Sequence, residues 1–124
     1  MNAVDSSGWL EYFADGPNAR AFAKPIEAHE SLIVPTLSLY EVFKRVLQQR
    51  GEDLALQAIA VMEQGRAVDL DCTLALGAAE LSIEFKLPPA DSIMLATARR
   101  TGAILWTQDG DFDSIPDVRY FPKS

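Results

Sequence analysis

Cysteine and histidine are nearly absent from this sequence, which has one of each, Cys72 and His29, in 124 residues. A single cysteine cannot form an internal disulfide, and the apolar neighbours of Cys72 predict that it is a small buried residue. His29 lies in a polar segment and is expected to be solvated. Because a catalytic cysteine needs a histidine beside it, chemistry based on such a pair is disfavoured.

The sequence also lacks long apolar runs and an excess of basic residues. Its apolar stretches are far shorter than the ~20 residues that span a bilayer, and no secretory signal pattern is evident. We therefore expect no membrane association and a cytoplasmic location. The net charge of −7 argues against binding nucleic acid through a broad basic surface. It leaves a metal-dependent nuclease open, because bound cations locally reverse the charge of clustered carboxylates.

Short apolar segments alternate with helical patterns along the chain. Strands are predicted at residues 1–4, 31–34, 67–70, 103–106 and 118–121, with helices between most of them. This alternation favours an α/β fold, with a mainly parallel sheet of about five strands flanked by helices on both faces. No linker, repeat or low-complexity tract interrupts the pattern, so residues 1–124 are expected to form a single domain.

Acidic residues stand where predicted strands end or helices begin. Asp5 and Asp109 each follow an apolar run, and Glu41 and Asp91 are placed in the first turns of helices. Ser6 or Ser7 is expected to cap the helix that follows Asp5. Because parallel strands end at one edge of a sheet and the following helices begin there, these four carboxylates are expected to converge.

Converging carboxylates repel each other unless cations lie between them. Their hard oxygen atoms suit Mg²⁺ or Mn²⁺, which can activate water for phosphodiester hydrolysis. A simpler interpretation remains open, because acids at helix N-termini also cap helices and interact favourably with the helix dipole. An EF-hand loop at 109–120 is rejected, since Ser114 replaces its glycine and Tyr120 replaces its final glutamate.

Four segments resemble, in the same order, the motifs of PIN-domain proteins, and within that family those of VapC-type toxin ribonucleases of toxin–antitoxin pairs. The resemblance covers essentially the whole chain. The segments are Val4-Asp5-Ser6-Ser7 with Trp9, Leu39-Tyr40-Glu41-Val42, Pro89 to Ala98 around Asp91, and Trp106-Thr107-Gln108-Asp109-Gly110-Asp111-Phe112.

The resemblance implies a set of site residues. Asp5 and Asp91 would be the principal ligands of Mg²⁺ or Mn²⁺, and Glu41 and Asp109 would complete an acidic quartet. Asp111 would be a possible fifth acid. Thr107 would hydrogen-bond within the site, and Ser6 would support it.

The implied reaction is endonucleolytic cleavage of RNA by a metal-activated water. The implied partners are an RNA substrate, a cognate VapB-type antitoxin and a second copy of the chain. The expected assemblies are therefore a homodimer and a toxin–antitoxin hetero-oligomer. The antitoxin is expected to contact the second to fourth helices and to insert an arginine into the acidic pocket.

Two other functions are consistent with parts of the sequence. The acids could only cap helices in a non-catalytic module that binds a partner through the helical hairpin around Gly51. A receiver-type phosphotransfer domain needs a strand-end aspartate in mid-chain and a lysine after a late strand, and neither is well placed here. Metal binding distinguishes the nuclease from the non-catalytic module.

Overall fold

Five parallel strands form the central sheet of the computed structural model, which describes residues 1–123. The strands are β1 (Asn2–Val4), β2 (Leu32–Pro35), β3 (Arg66–Val68), β4 (Ile104–Thr107) and β5 (Val118–Tyr120). The helices are α1 (Ser6–Phe13), α2 (Ala19–Glu27), α3 (Thr36–Arg50), α4 (Glu52–Met62), α5 (Cys72–Phe85) and α6 (Pro89–Arg100). The predicted α/β class with a five-stranded parallel sheet is confirmed.

The strand order is β3-β2-β1-β4-β5, and every neighbouring pair is parallel. The chain therefore builds outward from β1 in one direction and then crosses back to add β4 and β5 on the other side. This change of direction makes the carboxyl ends of β1 and β4 a topological switch point. Ligand sites of open parallel sheets lie at such points.

Successive strand residues point to opposite faces of the sheet, so each strand contributes to two apolar cores. Val4, Val34 and Trp106 face one core, which packs against side chains of α1 to α4. Ala3, Ile33 and Leu105 face the other core, which Met94 and Leu95 of α6 help to fill. Both faces of the sheet are thus covered, as the continuous apolar strands require.

Helices α3 and α4 form the predicted hairpin around Gly51. The φ angle of Gly51 is 90°, a left-handed conformation that glycine adopts without steric cost, so the chain turns there in a single residue. The pair leaves large apolar side chains exposed: Tyr40, Leu47, Leu54 and Leu56. Within residues 1–123, no helix has both the length and the apolarity needed to cross a bilayer.

Three local predictions are wrong. Asp5 caps α1 itself, because its carboxylate accepts a hydrogen bond from the Gly8 amide, while Ser6 and Ser7 lie inside the helix. Helix α3 begins directly after Pro35, which places Glu41 beyond the first turn. Cys72 is exposed, because the first turn of α5 turns it away from the core.

Candidate metal centre

Asp5 occupies the carboxyl end of β1, the central strand, and is almost completely buried, with 3% exposure. Its backbone amide donates to the Trp106 carbonyl, which extends the β1–β4 pairing by one step beyond the last strand residue. One carboxylate oxygen, Oδ1, accepts hydrogen bonds from the Gly8 amide at 3.0 Å and the Ser7 hydroxyl at 2.7 Å. Strand pairing and the helix cap therefore fix this carboxylate from two sides.

Thr107, at the end of β4, connects Asp5 to Asp109. Its hydroxyl donates to Oδ2 of Asp5 at 2.5 Å and accepts a hydrogen bond from the Asp109 amide at 2.9 Å. The side chain is fully buried at the end of β4. One hydroxyl thus holds the ends of β1 and β4 in a fixed relation, across the switch point of the sheet.

Three carboxylates lie close together beside Asp5 and Thr107. Asp91, Asp109 and Asp111 each offer an oxygen, and these oxygens lie within 4.8 Å of one another. Asp91 lies in the first turn of α6, where the helix dipole favours negative charge. Asp109 and Asp111 lie at the start of a short 3-10 turn, Gly110–Phe112. Asp109 caps this turn, because its carboxylate accepts a hydrogen bond from the Asp111 amide. We call these three side chains the acidic triplet.

The charges of the triplet and of Asp5 act on each other. The pKa of Asp91 is raised to about 8, first by burial and then by the nearby acids Asp109, Asp111 and Asp5. Burial also raises the pKa of Asp5 to about 6, although its hydrogen bonds from Thr107, Ser7 and Gly8 act in the opposite direction. Metal-free, this region therefore holds protons at pH values where most carboxyls are ionised.

Glu41 approaches the site from α3 through Ser6. The Ser6 hydroxyl donates to Oε1 of Glu41 at 2.6 Å, so the residue next to Asp5 holds this fourth predicted acid. Glu41 is outside the acidic triplet. Of the five predicted acids, three therefore form the triplet, Asp5 lies beside it, and Glu41 is hydrogen-bonded to Ser6.

The donor set fits a hard divalent cation. The triplet offers carboxylate oxygens, which Mg²⁺ and Mn²⁺ prefer, and its members come from two separate segments of chain. An octahedral Mg²⁺ with bonds of about 2.1 Å separates opposite ligands by about 4.2 Å. The oxygens of the triplet, which lie within 4.8 Å of one another, are therefore at a spacing that suits such an ion.

Two residues near the site escaped the sequence predictions. Ser7, considered only as a helix cap, donates to Asp5 and accepts from the Gln108 amide at 3.2 Å. The Gln108 side chain accepts a hydrogen bond from Asn18 and contacts Glu11. Ser7 was detectable as a hydroxyl two residues after an acid at a strand end, whereas nothing local in the sequence indicates the contacts of Gln108.

The sequence matches the family model described as the PIN domain over residues 3–118, which is most of the chain. The chain therefore belongs to the PIN-domain family. Its structural neighbours are VapC toxins and VapBC toxin–antitoxin complexes, as the resemblance predicted. No curated protein shows a significant sequence match.

Three solved structures illustrate the likeness. A toxin–antitoxin complex from Klebsiella pneumoniae has a chain that is 22% identical, with a TM-score of 0.79 and 95% of each chain covered. VapC20 of Mycobacterium tuberculosis, described as a sarcin-ricin loop cleaving toxin, is 19% identical, with a TM-score of 0.77 and coverage of 98% of this chain and 100% of that one. VapBC2 of Rickettsia felis, bound to promoter DNA, gives 12% identity, a TM-score of 0.75 and coverage of 98% and 97%. At these identities the likeness establishes the fold.

Proposed function

We propose that this PIN-domain protein is a metal-dependent endoribonuclease that acts as the toxin of a toxin–antitoxin pair. The observation that carries the proposal is the acidic triplet beside Asp5, at the switch point between β1 and β4. Three carboxylates at this spacing repel each other unless a cation or a proton lies between them. The structural likeness to VapC20, described as a toxin that cleaves the sarcin-ricin loop, supports RNA as the substrate.

Asp5 and Asp91 are proposed as the principal ligands of Mg²⁺ or Mn²⁺, with Glu41, Asp109 and Asp111 completing the set directly or through water. When bound, the ion would supply a nucleophilic water at neutral pH and neutralise charge on the phosphate. Thr107 and Ser7 keep the Asp5 carboxylate pointing in one direction. One member of the triplet accepts a proton as general base.

The proposed macromolecular partners are an RNA substrate, a VapB-type antitoxin and a second copy of the chain. Toxin–antitoxin complexes are among the solved structures that share this fold, and their antitoxins support the second partner. The exposed apolar side chains of the α3–α4 hairpin support antitoxin contact with α2 to α4. An inserted antitoxin arginine would pair with the acidic triplet. A cytoplasmic location and a homodimer remain part of this proposal.

Expression of the chain without its antitoxin in bacterial cells tests the function. We expect growth arrest within one generation and new RNA ends at a small number of positions. The Asp91→Asn variant should abolish both effects, because it removes a charged ligand and keeps the size of the side chain. Sequencing the RNA ends in the two cultures identifies the cleaved RNA.

Asp113→Asn is the matched control, because Asp113 is an exposed acid two residues beyond the triplet. It should remain toxic. Equal RNA cleavage by the wild type and by Asp91→Asn, at equal protein levels, would contradict the proposal. If Mn²⁺ also fails to bind the purified wild type in calorimetry, the acids serve only to cap helices and the non-catalytic module replaces the nuclease.

A further inference from the structure

A groove of about 450 Å³ runs between α1, α3 and α4, on the face of the sheet that α1 to α4 cover. This volume lies within the ~300–1,000 Å³ range of sites for small ligands. Its floor is apolar and includes Leu10, Phe13 and Val61. Its rim carries three cations, Arg45, Arg50 and Lys123, and we call it the basic groove.

The basic groove adjoins the candidate metal centre. Ser7 and Gln108 line the groove, and the Ser7 hydroxyl donates to Asp5 at 2.7 Å. The Gln108 amide in turn donates to the Ser7 hydroxyl, and the next residue along the chain is Asp109 of the triplet. A single layer of side chains, Ser7 and Gln108, therefore separates the groove from the metal centre.

The charge of the groove is opposite to that of the whole protein. The chain carries 18 acidic and 11 basic residues, yet this rim has three cations and one carboxylate, Glu11. Oxygens of Glu11 already contact the Asn18 amide and the Gln108 side chain. Among residues 1–123, Arg45, Arg50 and Lys123 take part in no ion pair, so their charges are available to an anionic ligand.

We propose that the basic groove is a subsite for the nucleotide next to the scissile phosphate of a single-stranded RNA. This proposal rests on the ribonuclease function proposed above. The rim cations contact backbone phosphates, and the base enters the apolar groove against Phe13. The Phe13 ring packs against Trp9 with a centroid distance of 5.7 Å and an interplanar angle of 23°, which holds it as a fixed surface.

Nucleotide chemistry accounts for both halves of the groove. Phosphates need cations, and bases stack on aromatic or apolar surfaces whatever their sequence. Stacking contributes about 1–3 kcal/mol per base in single-strand binding sites. An acidic peptide also suits this chemistry. The nearness of the groove to Asp5, which Ser7 hydrogen-bonds, favours the RNA strand, because a strand whose phosphate lies at the metal centre has its next nucleotide within reach of the groove.

Fluorescence anisotropy with a dye-labelled, eight-nucleotide single-stranded RNA tests the proposal. The full chain carrying Asp91→Asn is used in Mg²⁺ so that the RNA stays intact. Adding Arg45→Gln with Arg50→Gln should weaken binding about tenfold near 0.1 M salt, and the slope of log K against log salt should become shallower by about 1.4. Adding Ala14→Trp instead, at an exposed position on the groove, should fill it and weaken binding to a similar extent with all charges kept.

The matched control is Arg20→Gln with Lys24→Gln, two exposed cations of α2 that lie outside the groove. It should change RNA affinity less than threefold. If Arg45→Gln with Arg50→Gln weakens RNA binding no more than this control, the proposal is overturned, and the groove is left as a protein-docking surface. The proposal is also overturned if Arg45→Gln with Arg50→Gln weakens RNA binding but Ala14→Trp does not. The cations would then attract RNA without a base entering the groove.

Steady-state cleavage by the otherwise wild-type enzyme separates this proposal from the function on which it rests. Arg45→Gln with Arg50→Gln should raise KM and leave kcat unchanged, because the double variant removes binding that is common to substrate and transition state. An active wild type whose groove variants keep its KM refutes the subsite and retains the nuclease. A wild type that binds RNA through the groove without cleaving it refutes the nuclease, and the groove is then an RNA-binding site with no scissile phosphate beside it.

Discussion

Asp5 carries two roles in one side chain. Its Oδ1 atom caps α1 through the Gly8 amide, and its Oδ2 atom accepts from Thr107 beside the acidic triplet. Because the cap fixes the carboxylate before any ion binds, the ligand geometry is part of the local fold. An alanine at this position would remove the cap as well as the charge, so Asp5→Asn is the cleaner variant, since asparagine also caps helices well.

The Asp91 carboxyl should make the stability of the metal-free protein depend on pH. Its folded pKa of about 8 lies above the ordinary aspartate value of 3.8, so the folded state holds this proton more tightly than the unfolded state does. The resulting stabilisation is complete below about pH 4 and is lost as the pH rises through 8. Asp91→Asn should therefore gain stability relative to the wild type on going from pH 5 to pH 9.

We expect a relative gain of about 1–2 kcal/mol at pH 9, reduced from the full shift because Asp91 is partly exposed to solvent. Urea unfolding in the presence of a chelator at the two pH values measures it. Asp113→Asn, which changes an exposed acid outside the triplet, should show no such increase. A stability difference between Asp91→Asn and the wild type that is the same at both pH values would show that the fold does not raise the pKa of Asp91.

At the scale of elements, Gly8 allows α1 to pack closely against β1 and α2. A Cβ atom at this position would lie 2.6 Å from Cγ1 of Val4 and 2.8 Å from the Phe22 ring. Val4 and Phe22 are fully buried, so neither can move away easily. Gly8→Ala should cost about 1–3 kcal/mol in unfolding free energy through overpacking.

Gly77→Ala is the matched control for this prediction. Gly77 lies inside α5, and nothing lies within 4 Å of the added Cβ position. The same change there should stabilise the protein by about 0.5–1 kcal/mol, because alanine is the better helix former. Chemical denaturation of the two variants therefore gives opposite signs. Equal effects at the two positions would mean that α1 is not held tightly against β1.

Helix boundaries show where the sequence was informative and where it was not. The apolar pattern located all six helices to within a few residues, because amphipathic periodicity reflects the face that packs. It wrongly placed Glu41 in the first turn of α3. The helix begins at Thr36, because Pro35 supplies a compatible φ of −59° and Ser38 donates to the Pro35 carbonyl inside the helix. The pattern also misjudged Cys72, because apolar neighbours in sequence do not determine which side of a helix start faces the core.

At the scale of the whole molecule, the site follows from topology more than from any single motif. The pattern of strands and helices predicted a parallel sheet, and a parallel sheet brings its carboxyl-terminal residues to one edge. Asp5 and Asp109 could therefore be placed near each other from sequence. The nearness of Asp91 to Asp109 and Asp111, and the separate attachment of Glu41 to Ser6, depend on how α6 and α3 pack. Periodicity carries no information on that packing.

The measurement that tests the central claim most directly is metal-restored RNA cleavage by the purified protein. Stripped with a chelator, the wild type should be inactive, and Mn²⁺ should restore cleavage of a labelled RNA along a saturating curve. Asp91→Asn, prepared in the same way, should stay at least 100-fold less active at every Mn²⁺ concentration, consistent with loss of a ligand whose charge stabilises the reacting phosphate through the metal ion. Cleavage that persists in the chelator, or that Mn²⁺ restores equally in both proteins, would contradict the account.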